Sequence, residues 1–486
     1  VPADRAWTPK LAEVKQVYAP ITVTYNARRK RVTVNNNCDF STLDNYRLAY
    51  TILKNGEEVE TDTLDLPAAS PNSNSGAIDV PYTTTFDSNS EYLVNFTVVQ
   101  KQATLWAEAG YPVSKQQFVL QEGETTLPAV NFGKQSLTLE DVNGDLEIGN
   151  NKFNITINPN TGRLYSWTYG NYELIDGLAK NLTYDNFRWV ENDEAAGNSL
   201  DTGNGISKFT IVNAPKLNAD GTASFSTKGT GTYCNVLYNY TIYPDGTVDV
   251  QTTYTSHQVD NLRRIGSKIV LPKGLEQIDY YALGPWDSYV DRKDGVQVGR
   301  YRSTVTDMFG TTPHPQSCGN HEGLRELTLT DAKAGFMLNV KAEGQVAFSA
   351  LHYTDADMAK ARHRWDLTPG DVVLHLDYYQ KGLGNGSCGR GTGTLSKYNC
   401  PVGTFTNKLR FRPMWQSETA INGVTTPAND IRVSVVDGRV ICTGNIAAGT
   451  MLRVYDLGGS TVATATASSA TQQLTVSLSA SGYPSV

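Results

Sequence analysis

This chain of 486 residues contains no apolar run close to the ~20 residues that a helix needs to cross a bilayer. Long runs of Leu, Ala, Glu and Lys, which favour helices, are nearly absent as well. The first residues include no basic segment followed by an apolar core, so no signal peptide is visible. These absences predict a β-rich chain without a membrane span.

Basic charge and metal-binding motifs are also scarce. The net charge is -7 and residues 28–31 form the only basic cluster, so no nucleic-acid partner is expected. The six cysteines form no Cys-x-x-Cys pair, and the six histidines form no His-Glu-x-x-His motif, so we predict no metal and no other cofactor. Residues 141–145 resemble a calcium loop only in part, because the glycine and the final Glu are misplaced, and a turn is favoured.

What the chain does contain is strand and turn signals. Apolar and polar residues alternate over residues 46–52 and 92–98, which is typical of half-buried strands. Asn55-Gly56 is a strong hairpin signal, and residues 158–162 and 244–246 are further turns. Strands about ten residues apart predict an all-β fold.

The pattern divides the chain into several parts. A sandwich of about 100 residues is expected first, and a longer β region then predicts one large sandwich of two extended sheets. The predicted parts are a linker over 1–14, a sandwich over 15–120, a polar connection over 121–145, the large sandwich over 146–414, a linker over 415–430 and a small β domain over 431–486.

Residues 280–325 contain an ordered set of unusual residues. They are Gly284-Pro285-Trp286, Tyr289, Asp291-Arg292, Gly299-Arg300-Tyr301, Pro315-Gln316 and Gly319-Asn320. The set resembles the C-terminal small-chain domain of bacterial β-galactosidases of glycoside hydrolase family 2. Residues 104–110 and 116–118 resemble the end of the immunoglobulin-like domain that follows the catalytic barrel in that family. The resemblance implies an immunoglobulin-like sandwich over 15–120 and a mutarotase-like supersandwich over 146–414.

The resemblance also implies a function. The parent enzyme would hydrolyse terminal β-D-galactosides with retention, using two glutamates on an upstream (β/α)8 barrel. Such a barrel takes ~250 residues of alternating strand and helix, and no stretch of this chain has that alternation. We therefore expect the chain alone to be inactive and to act as a scaffold that shapes the active-site rim. The partners implied are a galactoside or other carbohydrate, the barrel, and further copies of the chain in a homo-oligomer.

Two other functions stay open at this point. A self-standing carbohydrate-binding protein would use exposed Trp and Tyr residues of a supersandwich to stack on sugars. A mutarotase-like enzyme would need a His acid and a carboxylate base in one cleft. The six histidines offer no motif for that chemistry.

Three segments correspond to loops near the active site in the resembling family. Residues 378–389 include Cys388, where some relatives carry a Trp that packs on sugar, and residues 185–194 resemble a second such loop. The rim residues implied are Trp189, Asn192, Asp193, His314, Gln316, Asn320 and Cys388. Two alternatives remain: Trp189 belongs to the core, and 378–389 is a glycine-rich turn with a structural cysteine.

The resemblance places two unusual cysteines on the same rim. It therefore suggests a disulfide between Cys318 and Cys388, with Cys388–Cys400 as the local competitor. Either bond requires Cα atoms within about 7 Å of each other.

The C-terminal end suggests export. Residues 453–459 resemble the sorting domains of proteins that use the type IX secretion route, which implies a periplasmic or secreted protein. The alternative is a small β module that adds an interface.

Overall fold

The computed structural model describes residues 5–190, 205–257, 262–310, 312–384, 394–419, 432–436, 439–446, 448–455 and 461–477. Contacts divide the chain into two units, Val1–Gln416 and Ser417–Val486. Strands dominate both units, which confirms the all-β fold class. In the described ranges, every helix is too short or too polar to cross a lipid bilayer.

The N-terminal part of the first unit is an immunoglobulin-like sandwich. Its strands are β1 (Ile21–Asn26), β2 (Arg31–Asn36), β3 (Tyr46–Lys54), β4 (Glu57–Asp65), β5 (Ser73–Asn74), β6 (Ile78–Asp79), β7 (Tyr92–Gln100) and β8 (Pro112–Gln121). One sheet joins β1 and β2 with β5 and β6, and the other has the order β4-β3-β7-β8. Ile21 and Val34 of one sheet share a core with Tyr50 and Phe96 of the other. The predicted alternation over 46–52 and 92–98 is therefore the alternation of core-facing residues.

A short helix precedes this sandwich where the sequence predicted a linker over 1–14. Helix α1 spans Pro9–Val17, with Thr8 as its N-cap and Pro9 in its first turn. The Thr8 side chain accepts a hydrogen bond from Leu11 N, so cap and proline start the helix as their propensities favour. Glu13 of α1 then accepts hydrogen bonds from the main-chain N–H groups of Asp294, at 3.1 Å, and Gly295, at 2.7 Å. Helix α1 is therefore docked on the supersandwich through Glu13.

The larger part of the first unit is the supersandwich. Its strands are β9 (Thr138–Val142), β10 (Asp145–Gly149), β11 (Phe153–Ile157), β12 (Leu164–Tyr169), β13 (Tyr172–Asp176), β14 (Thr183–Asp185), β15 (Ile206–Leu217), β16 (Ala223–Gly231), β17 (Cys234–Ile242), β18 (Val248–Ser256), β19 (Arg264–Leu271), β20 (Gln277–Gly284), β21 (Gln297–Thr304), β22 (Glu326–Asp331), β23 (Phe336–Glu343), β24 (Ala347–Leu351), β25 (Val372–Gln380) and β26 (Gly403–Trp415), and helix α2 spans Asp355–Lys360.

These strands form three sheets in two layers. A nine-stranded sheet has the order β15-β16-β17-β18-β26-β23-β22-β20-β21. Opposite it lie a five-stranded sheet, β13-β12-β11-β10-β9, and a four-stranded sheet, β14-β19-β25-β24. Trp167 of the five-stranded sheet packs edge-on against Phe411, and Tyr238 of the nine-stranded sheet lies 2.7 Å from the Ser267 hydroxyl of the four-stranded sheet. The second layer is thus two sheets rather than the single extended sheet predicted, because the chain turns through a 3-10 helix at Leu178–Lys180 between β13 and β14.

Two segments expected to be connections are partly ordered as strands. β9 lies within 121–145 and pairs with β10 through Asn143-Gly144, whose φ angles of 55° and 93° suit a tight hairpin turn. The favoured turn at 141–145 is therefore confirmed. At the other end, β26 includes Trp415, whose ring lies 5.2 Å from that of Phe336, and helix α3 (Gln416–Thr419) follows.

The two sandwiches of the first unit are joined by specific contacts. The side-chain amide of Gln117 donates to Val298 O at 2.8 Å and accepts from Val298 N at 2.9 Å. It thus bonds both main-chain groups of this residue in the edge strand β21. Glu91 accepts hydrogen bonds from the Tyr281 hydroxyl and from the Arg325 guanidinium. These contacts couple the two sandwiches.

The Asn55-Gly56 turn lies at the same interface. Gly56 has a φ of 81°, and a Cβ atom there would lie 2.6 Å from the ring of Tyr281. Glycine is required at this position both by its left-handed conformation and by the close approach of the aromatic ring. The turn therefore ends a hairpin and also contacts the supersandwich.

The second unit is small. Its strands are β27 (Arg432–Val436), β28 (Arg439–Ile446), β29 (Met451–Tyr455), β30 (Thr461–Thr466) and β31 (Thr471–Ser477). They form a three-stranded sheet, β27-β28-β31, and the pair β29-β30. Part of the motif at 453–459 lies outside the described residues, so the secretion route stays a prediction.

Candidate functional site

The four-stranded sheet places two of the three loops of the resembling family at one edge, and the third, before β22 of the nine-stranded sheet, contacts them. Both β14 and β25 run antiparallel to β19, so they are parallel to each other and end on the same side. We call the segments around this edge the rim segments: residues 186–190 after β14, residues 312–320 before β22, and residues 381–384 after β25. Ser317 N donates to Trp189 O at 2.8 Å, which joins the first two.

A buried arginine lies beneath the rim segments. Arg264, 2% exposed, has Nη1 3.3 Å from Asp355 Oδ2 and 2.9 Å from His375 Nδ1. Its Nε lies 3.1 Å from Asp377 Oδ2, an ion-pair contact. The same Nη1 donates to Phe187 O at 3.1 Å. Arg264 therefore joins a rim segment to two carboxylates and a histidine.

Burial sets the protonation of this cluster. It raises the pKa of Asp377 to about 7, although the charge of Arg264 opposes that shift. Burial also raises the pKa of Asp355 above its usual range. The pKa of His375 is well below its usual range because burial and the neighbouring Arg264 both disfavour the imidazolium. His375 is therefore neutral at neutral pH, and a ring nitrogen accepts the Arg264 hydrogen bond.

The cavity at this cluster is too small for a sugar. Its volume is about 10 Å³, and its lining includes Arg264, Ser317, Asp355 and His375. That volume holds about one water molecule, whereas small-molecule pockets measure roughly 300–1,000 Å³. His375 lies 3.6 Å from Asp355 and so provides the residue types of mutarotase chemistry, but a sugar has no room to enter.

A second buried arginine holds the segment that leads to Cys388. Arg188, 1% exposed, donates to Lys381 O and, at 3.3 Å, to Gly382 O. Asp291 accepts hydrogen bonds from the N–H groups of Leu383, at 2.9 Å, and of the next residue. A Cβ atom at Gly382 would lie 2.6 Å from Asp291 Oδ2, so glycine permits the approach. Arg188 and Asp291 together fix the main chain of residues 381–384.

Trp189 and His314 lie together in the rim segments. Trp189 is half-buried, its Nε1 donates to Pro315 O at 3.1 Å, and its main-chain N donates to Asp355 Oδ1 at 3.1 Å. The His314 ring is edge-on to the indole, with ring centres 6.5 Å apart. Gln316 is also partly exposed. Trp189 packs on the supersandwich core and still reaches the surface, and its role at the substrate rim stays a prediction.

Asn320 lies at the end of a rim segment and is buried. Its Nδ2 donates to Ser288 O at 2.7 Å and to Glu322 Oε1 at 3.0 Å, and its Oδ1 accepts from Gln380 Nε2 at 2.8 Å. It connects the segment before β22 with the end of β25. Asn320 therefore positions the rim from below.

Asn192, Asp193 and Cys388 lie outside the described residues. Cys318 and Cys400 are free thiols, so neither suggested disulfide is formed. Cys318 instead accepts a hydrogen bond from Gly310 N at 3.1 Å, and burial raises its pKa to about 12, which keeps the thiol protonated.

The sequence analysis missed the buried charges that organise this edge. They are Arg188, Arg264, Asp355 and Asp377. A signal existed for Asp377, which follows His375 in the mostly apolar start of β25, since a charge in a strand buried on both faces needs a partner. Within the described ranges, no group of three or more His, Cys, Asp or Glu side chains is arranged to hold a metal ion.

Glu322 predicts a pH-dependent stability. Burial raises the pKa of Glu322 to about 7 from the usual 4.5. The stability that its protonated side chain contributes to the folded state is therefore complete below pH 4.5 and is lost as the pH rises through about 7. Glu322→Gln, which stays neutral, should be more stable than the parent chain by about 2–3 kcal/mol at pH 8 and nearly equal to it at pH 4.5. Urea unfolding at both pH values measures this difference.

The control for this prediction is Glu140→Gln, on the exposed side of β9. Its urea unfolding midpoint should stay close to that of the parent chain at both pH values, because exposed surface substitutions change stability little. A Glu322→Gln difference that is the same at pH 4.5 and pH 8 would contradict the predicted titration.

Comparison with known proteins agrees with this architecture. The family model described as β-galactosidase small chain matches residues 149–412, which is more than half of the chain, and that of β-galactosidase domain 4 matches residues 32–121. The β-galactosidase of Priestia megaterium is 26% identical over 396 residues, covering 79% of this chain and 37% of that protein. The β-galactosidase BgaC of Bifidobacterium adolescentis is 28% identical over 403 residues, with coverages of 79% and 37%. This chain thus spans about 37% of the length of these relatives.

The comparison with solved structures gave matches with low TM-scores. A putative aldose 1-epimerase of Escherichia coli K12 is 11% identical with a TM-score of 0.32, covering 58% of this chain and 100% of that one. The exo-chitosanase CsxA of Amycolatopsis orientalis is 15% identical with a TM-score of 0.18, covering 45% and 18%. TM-scores this low support no argument about this chain. The two family models and the curated relatives carry the assignment: the chain belongs to the β-galactosidase small chain family and corresponds to a C-terminal portion of a β-galactosidase.

Proposed function

We propose that this chain is the non-catalytic part of a family 2 β-galactosidase, in which it forms a wall of the active site and a scaffold for the barrel. The parent enzyme would hydrolyse terminal β-D-galactosides with two carboxylates of the barrel. The support is the match to the small-chain and domain 4 families, together with the fact that this chain spans about 37% of the length of its relatives.

The observation that carries the proposal is that two buried arginines, Arg264 and Arg188, hold the main chain of the rim segments. Arg264 holds the segment after β14 through Phe187 O, and Arg188 holds the segment after β25 through the carbonyls of Lys381 and Gly382. Buried charges that bond the main chain of loops fix those loops at the cost of desolvation. A wall that orients a substrate needs such preorganisation.

The carboxylates of this edge are already committed to structural contacts. Asp355 accepts from Trp189 N, and Asp377 accepts from Gln380 Nε2 at 2.8 Å. Asp291 holds the main chain of 381–384. A retaining glycosidase needs a nucleophile and an acid/base about 5 Å apart and facing the sugar. These three side chains face the protein instead, which supports a role without chemistry.

The test is hydrolysis of a chromogenic β-galactoside by the purified chain. We expect no turnover above that of buffer, while a complete β-galactosidase in the same assay gives the positive control. A cooperative thermal transition by circular dichroism establishes that the assayed chain is folded. Turnover that copurifies with the folded chain would overturn the proposal.

A further inference from the structure

One tryptophan is held at the surface in a defined orientation. Trp365 is 79% exposed, and the His363 ring stacks parallel to it, with ring centres 4.5 Å apart and an angle of 6° between the planes. A ring covered on one face and exposed to this extent keeps its other face open to solvent. Large aromatic side chains normally bury most of their area, so such exposure calls for a reason.

Local hydrogen bonds hold this pair in place. Residues Arg364–Asp366 form a 3-10 turn, in which Asp366 Oδ2 accepts from Arg362 N at 3.1 Å and from His363 N at 2.9 Å. His363 Nδ1 lies 3.5 Å from the same carboxylate. The indole is therefore oriented by its own turn rather than by burial in the core, and its open face is preorganised.

The turn is connected to the rim segments. The Arg364 guanidinium lies 5.4 Å from the ring centre of Phe309, whose ring contacts Tyr353 at 4.8 Å. The next residue after Phe309, Gly310, bonds Cys318 of the rim. We call Trp365 with His363 the aromatic platform.

We propose that the aromatic platform is a carbohydrate-binding subsite, which takes the apolar face of a pyranose in an oligosaccharide. This subsite deepens the proposed function. It rests on that function only for the choice of sugar, which is a galactan fragment rather than another glycan. An open indole face suits the C–H face of a pyranose, and exposed Arg362, Arg364 and Asp366 surround it with partners for hydroxyl groups.

The surroundings of the platform favour a sugar over a protein. Protein interfaces are built around buried apolar clusters of many residues. Here a single flat ring is bordered by charged side chains, which matches the alternation of apolar face and hydroxyl edge on a sugar. A second copy of the chain is the competing occupant and is an outcome of the test.

The experiment is a titration of the full chain with β-1,4-galactotetraose, in which calorimetry and intrinsic tryptophan fluorescence measure binding. Trp365→Ala should weaken binding about tenfold, which corresponds to about 1.4 kcal/mol, because it removes the ring on which the sugar stacks. Trp365→Phe should recover part of the affinity. The matched control is Trp106→Ala, because Trp106 is also exposed, at 65%, but lies in the immunoglobulin-like sandwich. It should bind as the parent chain does.

Three results would overturn the proposal. The first is undetectable binding by the parent chain at ~10 mM ligand, a concentration well beyond the weak affinities of single subsites. The others are equal affinities for Trp365→Ala and the parent chain, and a shift from dimer to monomer in Trp365→Ala by light scattering. The binding assay needs no turnover, so its failure is separate from that of the proposed function. A chain that hydrolyses galactosides yet loses binding in Trp365→Ala would keep the subsite and overturn only the non-catalytic role.

Discussion

Arg264→Met should destabilise the supersandwich by about 3–5 kcal/mol, the usual cost of leaving buried charges without their partner. Arg264 contacts Asp355 and Asp377, both buried, and donates to Phe187 O. Methionine fills much of the same volume but supplies no charge and no donor. Because the two carboxyls are able to take up protons once the cation is lost, the cost should be smaller at pH 5 than at pH 8.

Urea unfolding of the full chain, followed by tryptophan fluorescence, measures this change. The control is Arg302→Met, because Arg302 pairs with Asp279 at 2.7 Å with both side chains largely exposed, and such pairs contribute little. Equal destabilisation by the two substitutions would show that burial of Arg264 is not the source of the effect. A cost that does not change between pH 5 and pH 8 would contradict the role given to the carboxyls.

Glu91→Ala should uncouple the two sandwiches of the first unit. Glu91 is 6% exposed, accepts from the Tyr281 hydroxyl, and holds Arg325 through contacts of 2.7 and 3.1 Å. Removing it leaves a buried hydroxyl and a guanidinium without their acceptor, at a cost of about 2–3 kcal/mol, which is less than for a fully buried pair because Arg325 is partly exposed.

Differential scanning calorimetry should detect the uncoupling. We expect the immunoglobulin-like sandwich to melt in a separate transition at a lower temperature than the supersandwich in Glu91→Ala, and the two transitions to overlap more in the parent chain. Glu57→Ala is the control, because Glu57 is an exposed residue near the same interface with only a 3.5 Å contact to Arg300. Identical melting profiles for Glu91→Ala and Glu57→Ala would contradict the coupling.

Local patterns predicted strands well and short docked elements poorly. The alternation over 46–52 corresponds to β3, because a strand with one face in the core records its burial in every second residue. Helix α1 was missed, since its sequence is polar and short and gains its position from Glu13 bonding the main chain at Asp294 and Gly295. Contacts 281 residues apart leave no periodicity in a sequence.

The rim segments also depend on contacts between distant parts of the chain. Trp189 and His314 were placed through resemblance to a family, and the structure brings them together across 125 residues of chain. Arg188 and Arg264 were overlooked, because an arginine in the sequence carries no sign of whether its guanidinium is solvated or buried against carbonyls and carboxylates.

The sequence by itself determined the all-β class, the alternating strands, most of the turns and the family, because these depend on local propensity, on periodicity and on motifs that lie close together in the chain. Only the tertiary structure decided which charges are buried, that the second layer splits into two sheets, that Gly56 contacts Tyr281, and that Trp365 stacks on His363 with one face open. Those properties depend on which distant segments pack together, and burial changes the energy of a charge or an aromatic face far more than its neighbours in the sequence do.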